Sequence, residues 1–158
     1  MTTLTEVPPG DAVIIMSRVY DAPRELVWTA MTEPRHVAHW FGGPGFQNPV
    51  CEMDVRPGGR WHHVLVFPGG REMMLDFVYL EVKKPERLVW EHADHGKRSD
   101  GPPTSRTTVT LENLGDQTRW RMVAQFTSLA ARDLAVGMGF SGPIAASNDR
   151  LAAYLKVM

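Results

Sequence analysis

A series of short β-type runs separated by turn residues is the feature of this sequence that most restricts its fold. Glycine, proline, asparagine and aspartate clusters divide the middle of the chain into six such runs. They cover residues 50–55, 60–67, 72–82, 87–93, 106–112 and 118–126. Short turns join antiparallel neighbours, because parallel pairs need longer crossover connections. The pattern therefore predicts an antiparallel meander.

Two short helices are predicted before the meander. The run Val13–Tyr20 is rich in branched and aromatic residues and predicts a strand. Pro23 then suits the first turn of a helix but cannot sit inside a strand ladder. A second short helix is predicted after Pro34, with Trp40 on its core side, and a glycine-rich stretch ends it.

The C-terminal region predicts the longest helix. Residues 128–136 are alanine-rich and helical, and residues 137–142 interrupt them. We expect the last helix to start at Pro143 with Ser141 as its cap. Its apolar residues fall on one side of the spiral and need a sheet to pack against. The predicted class is α+β, with one curved sheet around the terminal helix and a space between the two.

Length and charge balance predict one domain. The chain has 158 residues, which is enough for one hydrophobic core. We expect a loose N-terminal arm over residues 1–12 and a single domain over residues 13–158. Lys and Arg (17) nearly balance Asp and Glu (18), so a nucleic-acid partner is not expected.

The cysteine content and the distribution of apolar residues indicate the cellular compartment in which the protein is expected. Cys51 is the single cysteine, so an internal disulfide is excluded and a reducing, cytoplasmic setting is the simplest interpretation. Residues 1–12 have neither a basic start nor an apolar block, which does not fit a signal peptide. No apolar run approaches the roughly 18 residues that a membrane span needs. We expect no membrane association.

Six motifs in a fixed order resemble those of the activator of heat-shock-protein-90 ATPase homologue family. They are Arg18-Val19-Tyr20-Asp21-Ala22-Pro23, Val27-Trp28, Trp40-Phe41-Gly42, Asp54-Val55-Arg56-Pro57-Gly58-Gly59, Pro85-Glu86-Arg87-Leu88-Val89 and Asp149-Arg150-Leu151-Ala152-Ala153-Tyr154-Leu155. That family belongs to the START-like, or SRPBCC, helix-grip superfamily. The resemblance covers residues 13–157 and implies a seven-stranded antiparallel sheet that grips a C-terminal helix.

Strand alternation predicts an aromatic pocket, because every second side chain of a strand faces the same side of the sheet. A largely apolar wall with a few polar groups is typical of a small-molecule site. The alternative is that the same aromatic residues only fill the core. The predicted ligand-binding residues are Trp40, Trp61, His63, Phe77, Trp90, His92, Trp120, Met122, Met138 and Phe140.

Four residues are candidate acids or bases in such a pocket, namely His63, Asp76, Glu91 and His92. Glu91 has the opposite strand parity to His92, so both can face one pocket only across a bulge. Polar strand residues are often only structural, and we therefore assign no catalytic residue and expect no cofactor. Binding with or without conversion of the ligand remains open.

Scattered histidines raise the question of a metal site. The pairs His36 and His39, His62 and His63, and His92 and His95 could each supply nitrogen ligands. Adjacent strand residues point to opposite faces, and an HExxH-like pair is absent from the sequence. We predict no metal.

Three functions remain open at this stage. The first is binding, or cofactor-independent conversion, of a small apolar molecule between the sheet and the terminal helix. The second is a co-chaperone role on an ATPase partner, which the family resemblance implies. The arm of about twelve residues is shorter than the separate N-terminal domain of the full eukaryotic-type activator, which favours the first. The third is a homodimer formed through exposed apolar patches.

Overall fold

The computed structural model describes residues 1–93 and 102–158. In these two ranges it has one antiparallel sheet of eight strands and four helices. The strands are β1 Leu4–Glu6, β2 Val13–Tyr20, β3 Gln47–Met53, β4 Arg60–Val66, β5 Glu72–Lys83, β6 Arg87–His92, β7 Arg106–Asn113 and β8 Thr118–Gln125. The helices are α1 Arg24–Thr32, α2 Pro34–Trp40, α3 Leu129–Gly137 and α4 Ser141–Leu155.

The strand order in the sheet is β1-β2-β8-β7-β6-β5-β4-β3. The chain leaves β2, passes through α1 and α2, and reaches the far edge at β3. From there each strand pairs with the next, and β8 returns to pair with β2. The predicted meander of six strands and its antiparallel pairing are confirmed.

The predicted strand count of seven is wrong by one. Leu4–Glu6 forms an additional edge strand within the predicted loose arm, and Leu4 lies opposite Ser17 on β2. All three side chains of this strand are exposed. They therefore show no buried alternation, which is the sequence signal by which a strand is recognised.

The two N-terminal helices begin at prolines, as predicted. Pro23 is the N-cap of α1, and Pro34 occupies the first turn of α2. The helices are joined by a buried hydrogen bond, in which the Trp40 indole Nε1 donates to the Ala30 carbonyl oxygen at 2.9 Å. This bond fixes the angle at which α2 leaves α1.

The break between the C-terminal helices is shorter than predicted. Gly139 has a φ of 77°, a left-handed conformation that favours glycine, and α4 begins directly afterwards at Ser141. Phe140 is the N-cap of α4, so the predicted capping role of Ser141 is wrong. The preceding helix α3 is capped by Ser128, whose hydroxyl oxygen accepts a hydrogen bond from the Ala131 amide at 3.0 Å.

The sheet bends at two irregular positions. The register shifts between Gln47 and Val50 on β3, and again between Tyr79 and Glu81 on β5. Such bulges increase the local twist of a strand. The inward face of the sheet becomes concave, and α4 lies across it with Leu151 and Leu155 buried.

The turn between β3 and β4 is tied to the middle of β5 through two glycines. The Gly58 amide donates to the Tyr79 carbonyl oxygen at 2.8 Å, and the Tyr79 amide donates to the Gly59 carbonyl oxygen at 2.9 Å. A Cβ atom on Gly59 would lie 1.9 Å from the Asp54 carbonyl oxygen, so this position accepts no side chain. In the described ranges no helix combines the length and apolarity that crossing a bilayer requires.

We expect Gly59→Ala to lower the free energy of unfolding by roughly 3 kcal/mol, because the clash is with backbone atoms. Gly58→Ala is the matched control: its φ is 83°, but a Cβ there meets nothing within 4 Å. The control should lose only about 1–2 kcal/mol. Urea denaturation of the two variants measures the difference, and equal losses would contradict the backbone clash.

Candidate functional site

A cavity of about 390 Å³ lies between the concave face of the sheet and α4. Strands β4 to β8 supply one wall, and α4 with the junction between α3 and α4 supplies the other. The stretch after α2, which includes Gly42 and Phe46, forms part of the rim. Carbon atoms of aromatic, aliphatic and methionine side chains make up most of the lining.

Aromatic rings from three neighbouring strands form the base of the cavity. Trp61 lies 4.8 Å from Phe77 and 5.6 Å from Trp90, measured between ring centroids. Phe41 packs edge-on against Trp61 at 5.6 Å. These tilted and edge-to-face arrangements are favourable for aromatic pairs. The four rings contact one another, and all of them line the cavity.

Most of the predicted ligand-binding residues line the cavity, and six of them are strand residues on its inward face. Nine of the ten predicted ligand-binding residues line the cavity, namely Trp40, Trp61, Phe77, Trp90, His92, Trp120, Met122, Met138 and Phe140. Their contact with a ligand stays a prediction. Trp28, which the prediction left out, is buried in α1 away from the cavity lining.

His63 is the exception and does not line the cavity. It is fully buried, with 0% of its surface exposed. Its Nδ1 accepts a hydrogen bond from the Trp61 indole at 3.2 Å, and its Nε2 lies 2.6 Å from Asn48 Oδ1. The Asn48 amide nitrogen donates to the carbonyl oxygens of Ala38 and Phe41, both at 3.0 Å. His63 therefore joins the sheet to the end of α2 rather than facing a ligand.

The protonation of His63 follows from this network. Nδ1 accepts a hydrogen bond from the Trp61 indole, so the N–H of the neutral ring is on Nε2 and donates a hydrogen bond to Asn48 Oδ1. Burial, with a smaller contribution from His62, lowers the pKa of His63 to about 4. The imidazole is neutral at pH 7, and both ring nitrogens are already used.

The carboxylate candidates lie outside the cavity lining. Asp76 is on the opposite face of β5, where its Oδ1 lies 2.7 Å from Nδ1 of His62. Glu91 pairs with Arg106 at 3.3 Å. Of the four acid or base candidates, His92 alone is part of the lining, and its ring lies 4.8 Å from that of Phe77.

Several lining residues were missed because they come from helices, turns and a hairpin rather than from regular strand alternation. Phe46 and Phe67 pack against each other at 4.9 Å. Ser147 and Asn148 are buried on α4 and face the sheet. Arg71 also lines the cavity, and its strand parity matches that of Phe77, which is the signal that could have identified it.

The histidines do not form a metal centre in the described parts of the chain. There, no three side chains of His, Cys, Asp or Glu come together in a metal-binding group. His36 Nδ1 lies 2.7 Å from the Tyr154 hydroxyl, and His39 stacks on the same ring at 5.0 Å. His95 lies outside the described residues.

Burial also shifts the pKa values of Cys51 and Tyr79. Burial raises the pKa of the Cys51 thiol to about 11, against a smaller opposing effect of its hydrogen bond with Trp61. Burial also raises the pKa of Tyr79 above its ordinary value. Both groups are neutral at pH 7, which makes Cys51 a packed thiol rather than a nucleophile.

A second, more open groove of about 370 Å³ lies beside the ends of β6, β7 and β8. Glu91, Arg106 and Gln125 line it, and its surface is about equally polar and apolar. It shares His92 and Ser105 with the main cavity. The main cavity is the stronger candidate because it is more enclosed and more apolar, which favours burial of a small molecule.

A curved antiparallel sheet, a long C-terminal helix and a hollow between them define a helix-grip domain of the START-like class. The family model described as "Activator of Hsp90 ATPase homolog 1-like protein" matches residues 21–156. The chain belongs to this family, and the resemblance seen in its sequence motifs is confirmed. The fold is consistent with ligand-binding and with co-chaperone-like roles. Among curated proteins, none matches the chain.

Solved structures share the fold of this chain. A protein from Nitrosomonas europaea is 26% identical, with a TM-score of 0.82 over 93% of this chain and 96% of that one. A protein from Rhodobacter sphaeroides is 19% identical and has a TM-score of 0.88 over 100% of both chains. An AHSA1-like protein from Aeromonas hydrophila is 18% identical, with a TM-score of 0.68 over 90% of this chain and 92% of that one.

The lowered pKa of His63 predicts a specific loss of stability in acid. The unfolded chain binds this proton near the ordinary pKa of 6.5, whereas the folded chain binds it only near 4. Stability from the neutral ring is therefore complete above about pH 6.5 and is lost as the pH falls towards 4, by on the order of 3 kcal/mol.

The test compares the free energy of unfolding of the wild type with that of His63→Gln, which cannot titrate. Between about pH 8 and about pH 4.5, the difference between the two proteins should move in favour of the variant by about 2–3 kcal/mol. Measurements at two values above pH 7 serve as the control, since the difference should be constant there. A difference that is constant over the whole range would show that His63 is not held neutral.

Proposed function

We propose that this protein binds a small, mainly apolar molecule in the cavity between the sheet and α4. The observation that carries the proposal is a partly open hollow of about 390 Å³ lined mostly by aromatic, aliphatic and methionine side chains. Small-molecule sites commonly have volumes of roughly 300–1,000 Å³ and a largely apolar lining.

The size of the hollow argues against ordinary core packing. Protein interiors are packed at close to crystal density and leave few voids larger than a water molecule. An unfilled cavity lowers stability in proportion to its volume. The sequence nevertheless places Ser147 and Thr107 at the lining where larger apolar side chains would fill the space. A binding role accounts for this choice of residues.

The lining favours a ligand of apolar character and variable shape. Met31, Met73, Met122 and Met138 all contribute to it. Methionine is unbranched and polarizable, so it repacks around different shapes at little energetic cost. The rings of Trp61 and Trp90 supply flat faces for planar or aliphatic groups.

The same geometry gives little support to a named catalytic group. A general acid or base must reach the reacting atom, and the buried phenol of Tyr79 stays protonated. His92 is the imidazole that lines the cavity among the described residues. We propose binding and assign no reaction.

A co-chaperone role is the second candidate, and a specific surface favours it. Helix α3 exposes Leu134 and Val136, and Met138 directly after it is also exposed, at 57%, 45% and 49% of their surface. Exposed apolar groups of this size can form a protein contact.

Native mass spectrometry of the purified protein separates the two roles. Retained small molecules support the cavity, whereas an empty protein that stimulates a chaperone ATPase supports the second role.

We expect Ser147→Leu to reduce retention of an apolar ligand about tenfold, or ~1.4 kcal/mol, because the larger side chain occupies the cavity. Ala153→Leu places the same side chain on an exposed position of α4 and should leave retention unchanged. Native mass spectrometry or titration with a hydrophobic fluorescent probe measures both variants. Unchanged binding in Ser147→Leu would contradict the assignment of the site.

Replacing tryptophans tests the aromatic wall separately. Trp90→Leu should change ligand binding, because Trp90 lines the cavity. Trp28→Leu should lower stability by about 3 kcal/mol and leave binding by the folded protein unchanged, since Trp28 is core. Titrations with the same probe, at a temperature where both variants are folded, compare them. Equal effects on binding would mean that Trp90 only fills the core.

A further inference from the structure

The cavity lining has a single permanently charged side chain in the described part of the chain, and it is Arg71. The other described lining residues include no Asp, Glu or Lys. An apolar cavity with one cation and no described carboxylate disfavours a cationic ligand and favours an anionic group.

Arg71 faces the cavity because of its place in the hairpin between β4 and β5. The Phe67 amide donates to the Arg71 carbonyl oxygen at 2.8 Å, so the two residues lie opposite each other. Gly69 and Gly70 make the turn with φ values of 101° and 97°. Opposite residues of an antiparallel pair project to the same face, and Phe67 has the inward parity of Trp61.

The guanidinium group is held at the cavity mouth by an aromatic ring. Its Cζ atom lies 4.6 Å from the centroid of the Phe67 ring. Stacking of this kind orients the plane of the group but leaves its N–H donors at the edge. Arg71 forms no ion pair with a carboxylate in the described ranges.

Three other arginines donate hydrogen bonds to acceptors within the protein. Arg18, on the inward face of β2, donates to Asp149 of α4 at 2.5 Å. Arg132 donates to the carbonyl oxygens of Pro8 and Asp11, and Arg150 donates to that of Gly43. Arg71 is in contact with the cavity but lacks an acceptor of this kind among the described residues.

We infer that the ligand is an amphipathic monocarboxylate, with its apolar body in the cavity and its carboxylate on Arg71 at the mouth. This inference rests on the proposed function. A planar guanidinium matches a carboxylate through two parallel hydrogen bonds. One arginine balances the single charge of a carboxylate, whereas a phosphate monoester carries a charge of about −1.5 to −2 at neutral pH.

The test compares two probes of equal chain length, dodecanoate and uncharged 1-dodecanol, below their aggregation concentrations. Titrations followed by tryptophan fluorescence give the affinity of each probe. The variants are Arg71→Gln and Arg71→Lys. Arg60→Gln is the matched control, because Arg60 is an exposed arginine on β4 that does not line the cavity.

We expect the wild type to bind dodecanoate about tenfold more tightly than 1-dodecanol. Arg71→Gln should remove this preference and leave 1-dodecanol binding unchanged, and Arg71→Lys should retain part of it. Arg60→Gln should behave as the wild type does. Higher salt should reduce the preference, because it screens a charge at the mouth.

Two results overturn the inference in different ways. If 1-dodecanol binds but dodecanoate binds no better, or if Arg71→Gln keeps the preference, the carboxylate assignment is wrong while the cavity remains a binding site. If neither probe binds the wild type, the carboxylate assignment is also wrong, and if native mass spectrometry shows no retained small molecule either, the proposed function itself fails. The comparison of the two probes on the wild type holds even if a variant does not fold.

Discussion

The position of α4 relative to the sheet is the constraint on which the rest of the structure depends. The helix is held from its flanks: Asp149 binds Arg18 of β2, Tyr154 contacts His36 of α2, and Arg150 binds carbonyl oxygens after α2. These anchors lie at β2 and α2 rather than on β4 to β6. The inward faces of the latter strands are therefore covered without being filled, and the cavity is the space that remains.

Much of this arrangement could be predicted from the sequence, because it follows from local rules. Pro23 and Pro34 start the two short helices, and alternation in β4, β6 and β8 correctly placed Trp61, Trp90 and Trp120 at one wall. Local rules fail where the signal is long-range. The edge strand Leu4–Glu6 buries no side chain, so only its backbone pairing with β2 reveals it.

His63 shows the limit of strand parity most clearly. Parity places it on the inward side of β4, and it is indeed buried. Its partner Asn48 lies on β3 within the stretch where the register shifts, and that shift has no sequence pattern from which it could be read. A buried imidazole with both nitrogens satisfied stabilises the junction of β3, β4 and α2. It has no free lone pair or proton with which to act on a ligand.

The same accounting of partners distinguishes the paired polar groups described above from Arg71. Buried polar groups are stable when every donor and acceptor is satisfied, and His63, Arg132 and Trp40 meet this condition within the protein. A binding site instead needs a polar group that has no partner within the protein and forms its hydrogen bonds with the ligand. Arg71 has the position and the donors for such a role, and its guanidinium group lies over the Phe67 ring at the cavity. We infer an amphipathic acid from the cation and the apolar hollow together, because neither feature alone would distinguish such a ligand from an uncharged apolar molecule or a small anion.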